Sequence, residues 1–288
     1  MTVIDTGLQD LKRQHPEWEP WLAVVQETLR ELNNPYWDAV VPHGVIQQGK
    51  TPLLAGAILA LQQDSVHDLL QSLIRIASRS GSPQMATLER AIEAELDIFN
   101  LFKAALCQDC DYLKQSAMAL GAEPEAFQAV TALVPVPFLQ ACNRHWKLST
   151  AAGWLEGYCP VCGTWPALAE VRGIERTRHF RCGRCGGEWR SHCLFCAYCG
   201  MNDHEGLVSL VPENGASRVI EACKRCLGYV KAFTTLEGSA PEKVILDDLA
   251  SVDLDVAAVE QGYKRPQGPG YILDVTITDK RLTPARKL

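Results

Sequence analysis

The sequence predicts an α+β chain of several domains: an all-helical N-terminal domain, then two small modules that each gather four cysteines. Three observations carry this expectation. Apolar residues recur at helical spacing through the first half of the 288 residues. Near Gly153 the texture shifts to short β-prone pieces separated by glycine and cysteine turns. The twelve cysteines are also uneven, with none before Cys107, none after Cys226, and nine between Cys159 and Cys226.

Composition narrows the classes. With 47% hydrophobic residues the chain can build a sizeable core, and its formal charge of −6 argues against a general binder of nucleic acid or anionic membranes. The first twenty residues lack the apolar stretch of a signal peptide. The longest apolar run, Leu53 to Leu61, is too short to cross a bilayer. These features predict a soluble, cytoplasmic protein without membrane insertion. In a reducing compartment, clustered cysteines point to metal binding or redox chemistry rather than disulfides.

The helical half is read in order. Trp18, Trp21, Leu22, Val25 and Leu29 repeat at the spacing of one buried helix face. Thr51-Pro52 reads as a cap followed by proline at a first helical position. Val66, Leu69, Leu70 and Leu73 form a second stripe, which Gly81-Ser82-Pro83 stops. Leu88, Ile92, Leu96 and Phe99 predict a long third helix running past Cys110. A further helix around Glu125–Val130 ends near the turn-like Val134-Pro135-Val136-Pro137. Beyond Gly153, strands are expected at Leu168–Val171, His179–Arg181 and Leu207–Val211. A strand end and a helix, capped by Asp247 or Asp248, are expected between Lys243 and Gly262. The tail from Pro266 has no assigned structure. The resulting domains are 1–152 (helical), 153–192 (first module), 193–235 (second module) and 236–288 (strand/helix segment and tail).

Cysteine spacing carries the chemistry. A tetrahedral site takes four ligands, commonly two C-x-x-C pairs brought together by a folded loop. Cys159/Cys162 and Cys182/Cys185 enclose residues 163–181, the spacing of a zinc ribbon. Cys196/Cys199 and Cys223/Cys226 enclose the slightly longer 200–222. Gly163, Gly186 and Gly200 each follow the second cysteine of a pair, where a left-handed backbone turns amides toward the sulfurs. Leu227 breaks this pattern after Cys226. The run Cys193, Cys196, Cys199 could hold most of an iron–sulfur cluster. However, Gly200 selects Cys196/Cys199 as the pair, and no Cys-Pro follows to complete a cluster motif. Cys193 is then a spare thiol. Cys107/Cys110 falls in a helical pattern without a partner pair, and Cys142 reads as a buried small apolar residue. His145, His179, His192 and His204 are not needed as ligands.

Six arginines between Cys159 and Arg190 face three glutamates, a local excess of +3. Four thiolates around a divalent ion carry about −2, so this excess is read first as neutralising the first site or meeting an acidic protein partner. Nucleic acid is the lesser reading, through a zinc-ribbon adaptor using the arginines from Arg172 to Arg190. No Ser-His-Asp arrangement, phosphate loop or dinucleotide fingerprint suggests an enzyme, and a site closed by four protein ligands leaves no position for substrate.

The series CPVCG, CGRCGGEW, CLFCAYCG and EACKRCLGYVK, ahead of LDDLASVDLDVAAVEQGYKRP, resembles the formate dehydrogenase accessory protein (FdhE) family as far as about Pro266. The resemblance implies a helical region followed by two rubredoxin-like modules in a cytoplasmic, non-enzymatic protein. Such a protein contacts the formate dehydrogenase catalytic subunit and is needed for the active respiratory enzyme. It implies two mononuclear metal ions, held by Cys159, Cys162, Cys182 and Cys185 and by Cys196, Cys199, Cys223 and Cys226. Iron is the metal it implies, and zinc accepts the same thiolates.

Overall fold

Capping and apolar stripes account for the helices of the first half. The computed structural model describes residues 3–46, 48–79, 82–92, 94–146, 153–212 and 217–280. The chain divides into two compact units, one of residues 1–45, 54–142 and 273–288, the other of residues 46–53 and 143–272.

The first unit carries helices α1 (Val3–Gln14), α2 (Glu19–Glu31), α3 (Pro35–Ala39), α4 (Gln63–Ser78), α5 (Pro83–Ala86), α6 (Ile98–Cys107), α7 (Cys110–Leu120) and α8 (Pro124–Thr131). It also holds most of α9 (Val136–Trp146). Leu22, Val25 and Leu29 of α2 are buried as their spacing requires, as are Val66, Leu69, Leu70 and Leu73 of α4. Gly81, expected to stop α4, lies outside the described residues.

Three local expectations are corrected. The predicted long third helix is instead a short 3-10 turn over Thr87–Ala91 followed by two helices. Asp97 accepts the Asn100 N–H (3.1 Å) and Asp109 the Tyr112 N–H (3.0 Å), so each starts a new helix where continuation was expected. Gln108, left-handed at φ 59°, ends α6. Cys107 and Cys110 therefore close one helix and open the next rather than sharing a face. Second, Thr51-Pro52 starts no helix. A turn follows it, and then strand β1 (Ile58–Leu61) pairs in parallel with β8 (Thr276–Asp279), Ile58 opposite Thr276. This pairing gives part of the unassigned tail its place. Third, Val136-Pro137 opens α9 instead of a turn, since proline is tolerated in the first helical turn.

The second unit is built on one six-stranded sheet of β2 (Leu168–Arg172), β3 (Thr177–Arg181), β4 (Glu188–Ser191), β5 (Leu207–Leu210), β6 (Arg218–Cys223) and β7 (Tyr229–Thr235). Its order is β4-β3-β2-β7-β6-β5. Neighbours within each cysteine module are antiparallel, while β2 and β7 run parallel with Leu168 opposite Lys231. The two modules thus repeat head to tail and share one sheet. Helices α10 (Val244–Leu249) and α11 (Val252–Glu260) supply Val244, Leu254 and Ala258 to a core with Leu168, Ile220, Ala222, Tyr229 and Phe233. Asp247 and Asp248 lie inside α10 and cap nothing, a further correction. Among the described residues no helix is long and apolar enough to cross a membrane.

Candidate metal centres

Each C-x-x-C pair sits in the same backbone turn. The N–H five residues after the first cysteine's predecessor returns to that cysteine's carbonyl: Gly163 to Cys159 (2.9 Å), Gly186 to Cys182 (3.0 Å), Gly200 to Cys196 (3.0 Å) and Leu227 to Cys223 (2.9 Å). The first cysteine's own N–H then reaches one residue further, to the carbonyls of Thr164, Gly187, Met201 and Gly228. The turn requires a left-handed residue after the second cysteine. Gly163, Gly186 and Gly200 take φ of 71°, 69° and 71°, and Leu227 takes 58°. The fourth pair therefore keeps the turn without its glycine. A left-handed side-chain-bearing residue costs about 1–2 kcal/mol, and glycine's extra freedom in the unfolded chain offsets about 0.5–1 kcal/mol of that. Leu227→Gly is accordingly expected to raise the thermal midpoint of the metal-loaded chain slightly, by a stabilisation on the order of 0.5–1 kcal/mol.

The knuckles bring the eight predicted cysteines together in two groups, Cys159, Cys162, Cys182 and Cys185, and Cys196, Cys199, Cys223 and Cys226. Within each group all four sulfurs lie within 4.8 Å of one another. Close sulfur pairs lie 3.5 Å apart for Cys159–Cys185, 3.6 Å for Cys162–Cys182, 3.6 Å for Cys196–Cys226 and 3.7 Å for Cys199–Cys223. None of the twelve cysteines, all of them among the described residues, is in a disulfide. A tetrahedron with metal–sulfur bonds of about 2.3 Å has edges of about 3.8 Å, so both groups fit one ion each with little adjustment.

The electrostatics of the donor sets agree with that fit. Burial pushes the Cys159 and Cys185 thiols well up, while hydrogen bonds from Cys159, Cys182 and Cys185 hold Cys162 well down. In the second group burial raises Cys196 and Cys226. Burial would also raise Cys223, but the backbone N–H groups of Cys226 and Arg225 outweigh it and lower that thiol. Four thiolates cannot ionise together at either place without a cation to balance them. Backbone donors are ready for the ionised sulfurs: Gly187 N–H points at Cys185 Sγ (3.3 Å) and Gly228 N–H at Cys226 Sγ (3.4 Å).

Cys193 belongs to neither group. Its exposed thiol approaches the Arg176 carbonyl at 3.9 Å. No histidine joins either group among the described residues. Cys193→Ser is therefore expected to retain two metal equivalents while Cys196→Ser retains one, read by elemental analysis of the purified chains.

Sequence spacing gave no hint of the polar framework around the centres. Arg178, buried on β3, binds Glu221 of β6 (2.6 Å), Ser191 Oγ (2.8 Å) and the carbonyls of His192 and Phe195, so it fixes the segment that carries Cys193. Arg181 binds Glu170 (2.8 Å), and Arg172 binds both Glu170 and Glu188 (2.5 Å each). Burial would raise Glu170, but Arg181 and Arg172 outweigh it and hold its carboxyl below the usual range. Arg172, Arg178 and Arg181 are thus engaged with carboxylates, while Arg184 adds to the neighbouring sulfurs in holding the Cys162 thiol down. Near the second centre, fully buried Lys231 donates to Asp248 and Asp255 (2.7 Å each), and Arg265 reaches the same two carboxylates. Lys264 N–H also bonds the Leu227 carbonyl (2.8 Å), which ties the segment after α11 to the fourth knuckle.

Residues 193–273, which include the second four-cysteine group and the α10–α11 segment, match the sequence model of the "FdhE, C-terminal domain". Over this segment the chain is similar to the FdhE family. A "Protein FdhE homolog" of Pseudomonas aeruginosa is 33% identical over 154 residues, 48% of this chain and 49% of that relative. The FdhE homolog of Enterobacter sp. (strain 638) is 29% identical over 235 residues, 76% of this chain and 68% of the relative. The chain thus spans about half the length of the first FdhE relative and about two thirds of the second. The crystal structure of the FdhE protein from Pseudomonas aeruginosa shares the fold, with a TM-score of 0.59 at 24% identity over 94% of each chain.

Proposed function

We propose that this chain is a member of the FdhE family, a non-enzymatic accessory protein in the cytoplasm that helps assemble active respiratory formate dehydrogenase. In this role it binds the catalytic subunit and carries one mononuclear metal ion in each four-cysteine group, iron in the first instance. The observation that carries the reading is the pair of four-sulfur groups inside a chain with an FdhE C-terminal domain. With four protein sulfurs per ion no coordination position is left for a substrate, which favours structural or electron-carrying roles over metal-ion catalysis. Iron there would supply one-electron redox chemistry, while the chain's own contribution is the knuckle amides that hydrogen-bond the sulfurs. The nucleic-acid reading loses support, because Arg172, Arg178 and Arg181 are engaged with Glu170, Glu188 and Glu221. The test is deletion of the gene with assay of respiratory formate dehydrogenase, alongside pull-down of the catalytic subunit. Lost activity and specific enrichment are expected, while normal activity with no enrichment would refute the proposal.

A further inference from the structure

Solvent reaches the two four-sulfur groups to very different degrees. In the first, Cys159, Cys182 and Cys185 are 0% exposed and Cys162 is 1% exposed. In the second, Cys196 and Cys223 are buried but Cys199 and Cys226 are only half-buried. The backs of the knuckles differ in the same sense. A methyl group placed on Gly163 would lie 2.9 Å from Tyr271 Cβ, and one on Gly186 would lie 2.5 Å from the Pro241 carbonyl oxygen. Both first-group turns are thus covered by other parts of the same unit. Around Gly200 the corresponding space is empty to 4 Å. A cavity of about 170 Å³ also abuts the second group, with Cys196 and Cys223 in its wall beside Cys193, Leu194 and Leu207. The first-group sulfurs belong to cysteines that are 0–1% exposed, so an incoming ligand there would have to displace the residues that cover them.

We propose that the second four-cysteine group is an exchange site, at which bound metal passes to and from external thiolates through this cavity, while metal at the first group stays locked in the fold. The proposal rests on the reading of both groups as metal sites. Exchange at a four-thiolate ion is associative: the incoming sulfur must come within bonding distance before a cysteine leaves. One metal–sulfur bond forms and one breaks. The incoming thiol gives its proton to solvent and the departing cysteine takes one up, so the metal's oxidation state and the thiolate count are unchanged. The cavity has room for a sulfur and its carbon chain, since a water occupies about 30 Å³ in the liquid. A partner or small molecule that carries a thiol is the ligand class this arrangement accepts.

The test uses the full chain loaded with zinc at both groups and challenged with excess glutathione in the presence of a chromophoric zinc chelator. Two release phases of one ion each are expected, separated at least tenfold in rate, with the fast phase missing in Cys196→Ser. In parallel, limited N-ethylmaleimide labelling of the unsubstituted loaded chain, mapped by mass spectrometry, should mark Cys196, Cys199, Cys223 and Cys226 before the first group. This labelling decides the matter even where Cys196→Ser does not fold. Release in one phase, or equal labelling of both groups, would overturn the proposal. A chain that takes up no zinc would overturn the reading of both groups as metal sites, and the proposal with it.

Discussion

Cys182→Ser is expected to abolish cooperative folding of the sheet-bearing unit. Cys182 ends the β3 side of the first centre, is fully buried, faces Cys162 Sγ at 3.6 Å and accepts the Cys185 N–H at 3.5 Å. The first centre lies between β3 and β4, and its other knuckle leads into β2, so three of six strands depend on it. Structural metal in small modules contributes on the order of 10–16 kcal/mol. A whole domain is stable by about 5–15 kcal/mol. Losing one ligand therefore removes a term as large as the net stability. The variant should lose the first ion and the sigmoidal thermal transition, read by circular dichroism, while chelation of the unsubstituted protein should lower its midpoint in proportion to the metal removed. A full-height transition in metal-poor Cys182→Ser would show that packing alone holds this unit.

Asp255→Ala is expected to destabilise the same unit by about 3–5 kcal/mol, the range for breaking a buried ion pair by removing one partner. Asp255 accepts from Lys231 Nζ (2.7 Å), the Tyr229 hydroxyl (2.7 Å) and Arg265 (2.9 Å). Burial would raise its carboxyl, but Arg265 and Lys231 outweigh that and keep it below the usual range. Without Asp255, Lys231 stays at 0% exposure with Asp248 as its remaining carboxylate, which Arg265 also claims. Burial of a cation so poorly matched is costly, whereas removing both charges is not. The double variant Lys231→Met with Asp255→Leu should therefore recover most of the loss in urea titrations at neutral pH. If Asp255→Ala costs less than about 1 kcal/mol, the cluster behaves as an exposed surface network instead.

The metal centres were legible because their determinants are local: a C-x-x-C knuckle spans five or six residues, and two spacings pair four knuckles in sequence order. Glycine after the second cysteine chose the register that leaves Cys193 out of both groups. Spacing placed the fourth pair too but not its turn, since a leucine at position 227 gives no sign that it takes a left-handed backbone. Long-range pairings were invisible for a different reason. The parallel ladder of β1 with β8 joins residues 58–61 to residues 276–279, and the β2–β7 ladder fuses two modules that spacing presents as separate. Neither register leaves a mark in local periodicity. The break of the third predicted helix shows propensity yielding to capping: the apolar stripe continues, but Asp97 and Asp109 each hold an N-terminus. Lys231 could be read as a solvated charge until its partners on α10 and α11 were located.

The proposed role requires two mononuclear four-sulfur centres in one chain. Elemental analysis with an optical spectrum and a labile-sulfide assay, on protein purified without oxygen, tests this most directly. Two metal ions per chain and no labile sulfide are predicted, with sulfur-to-iron charge-transfer bands on oxidation where the metal is iron. One ion per chain, or stoichiometric labile sulfide, would contradict it.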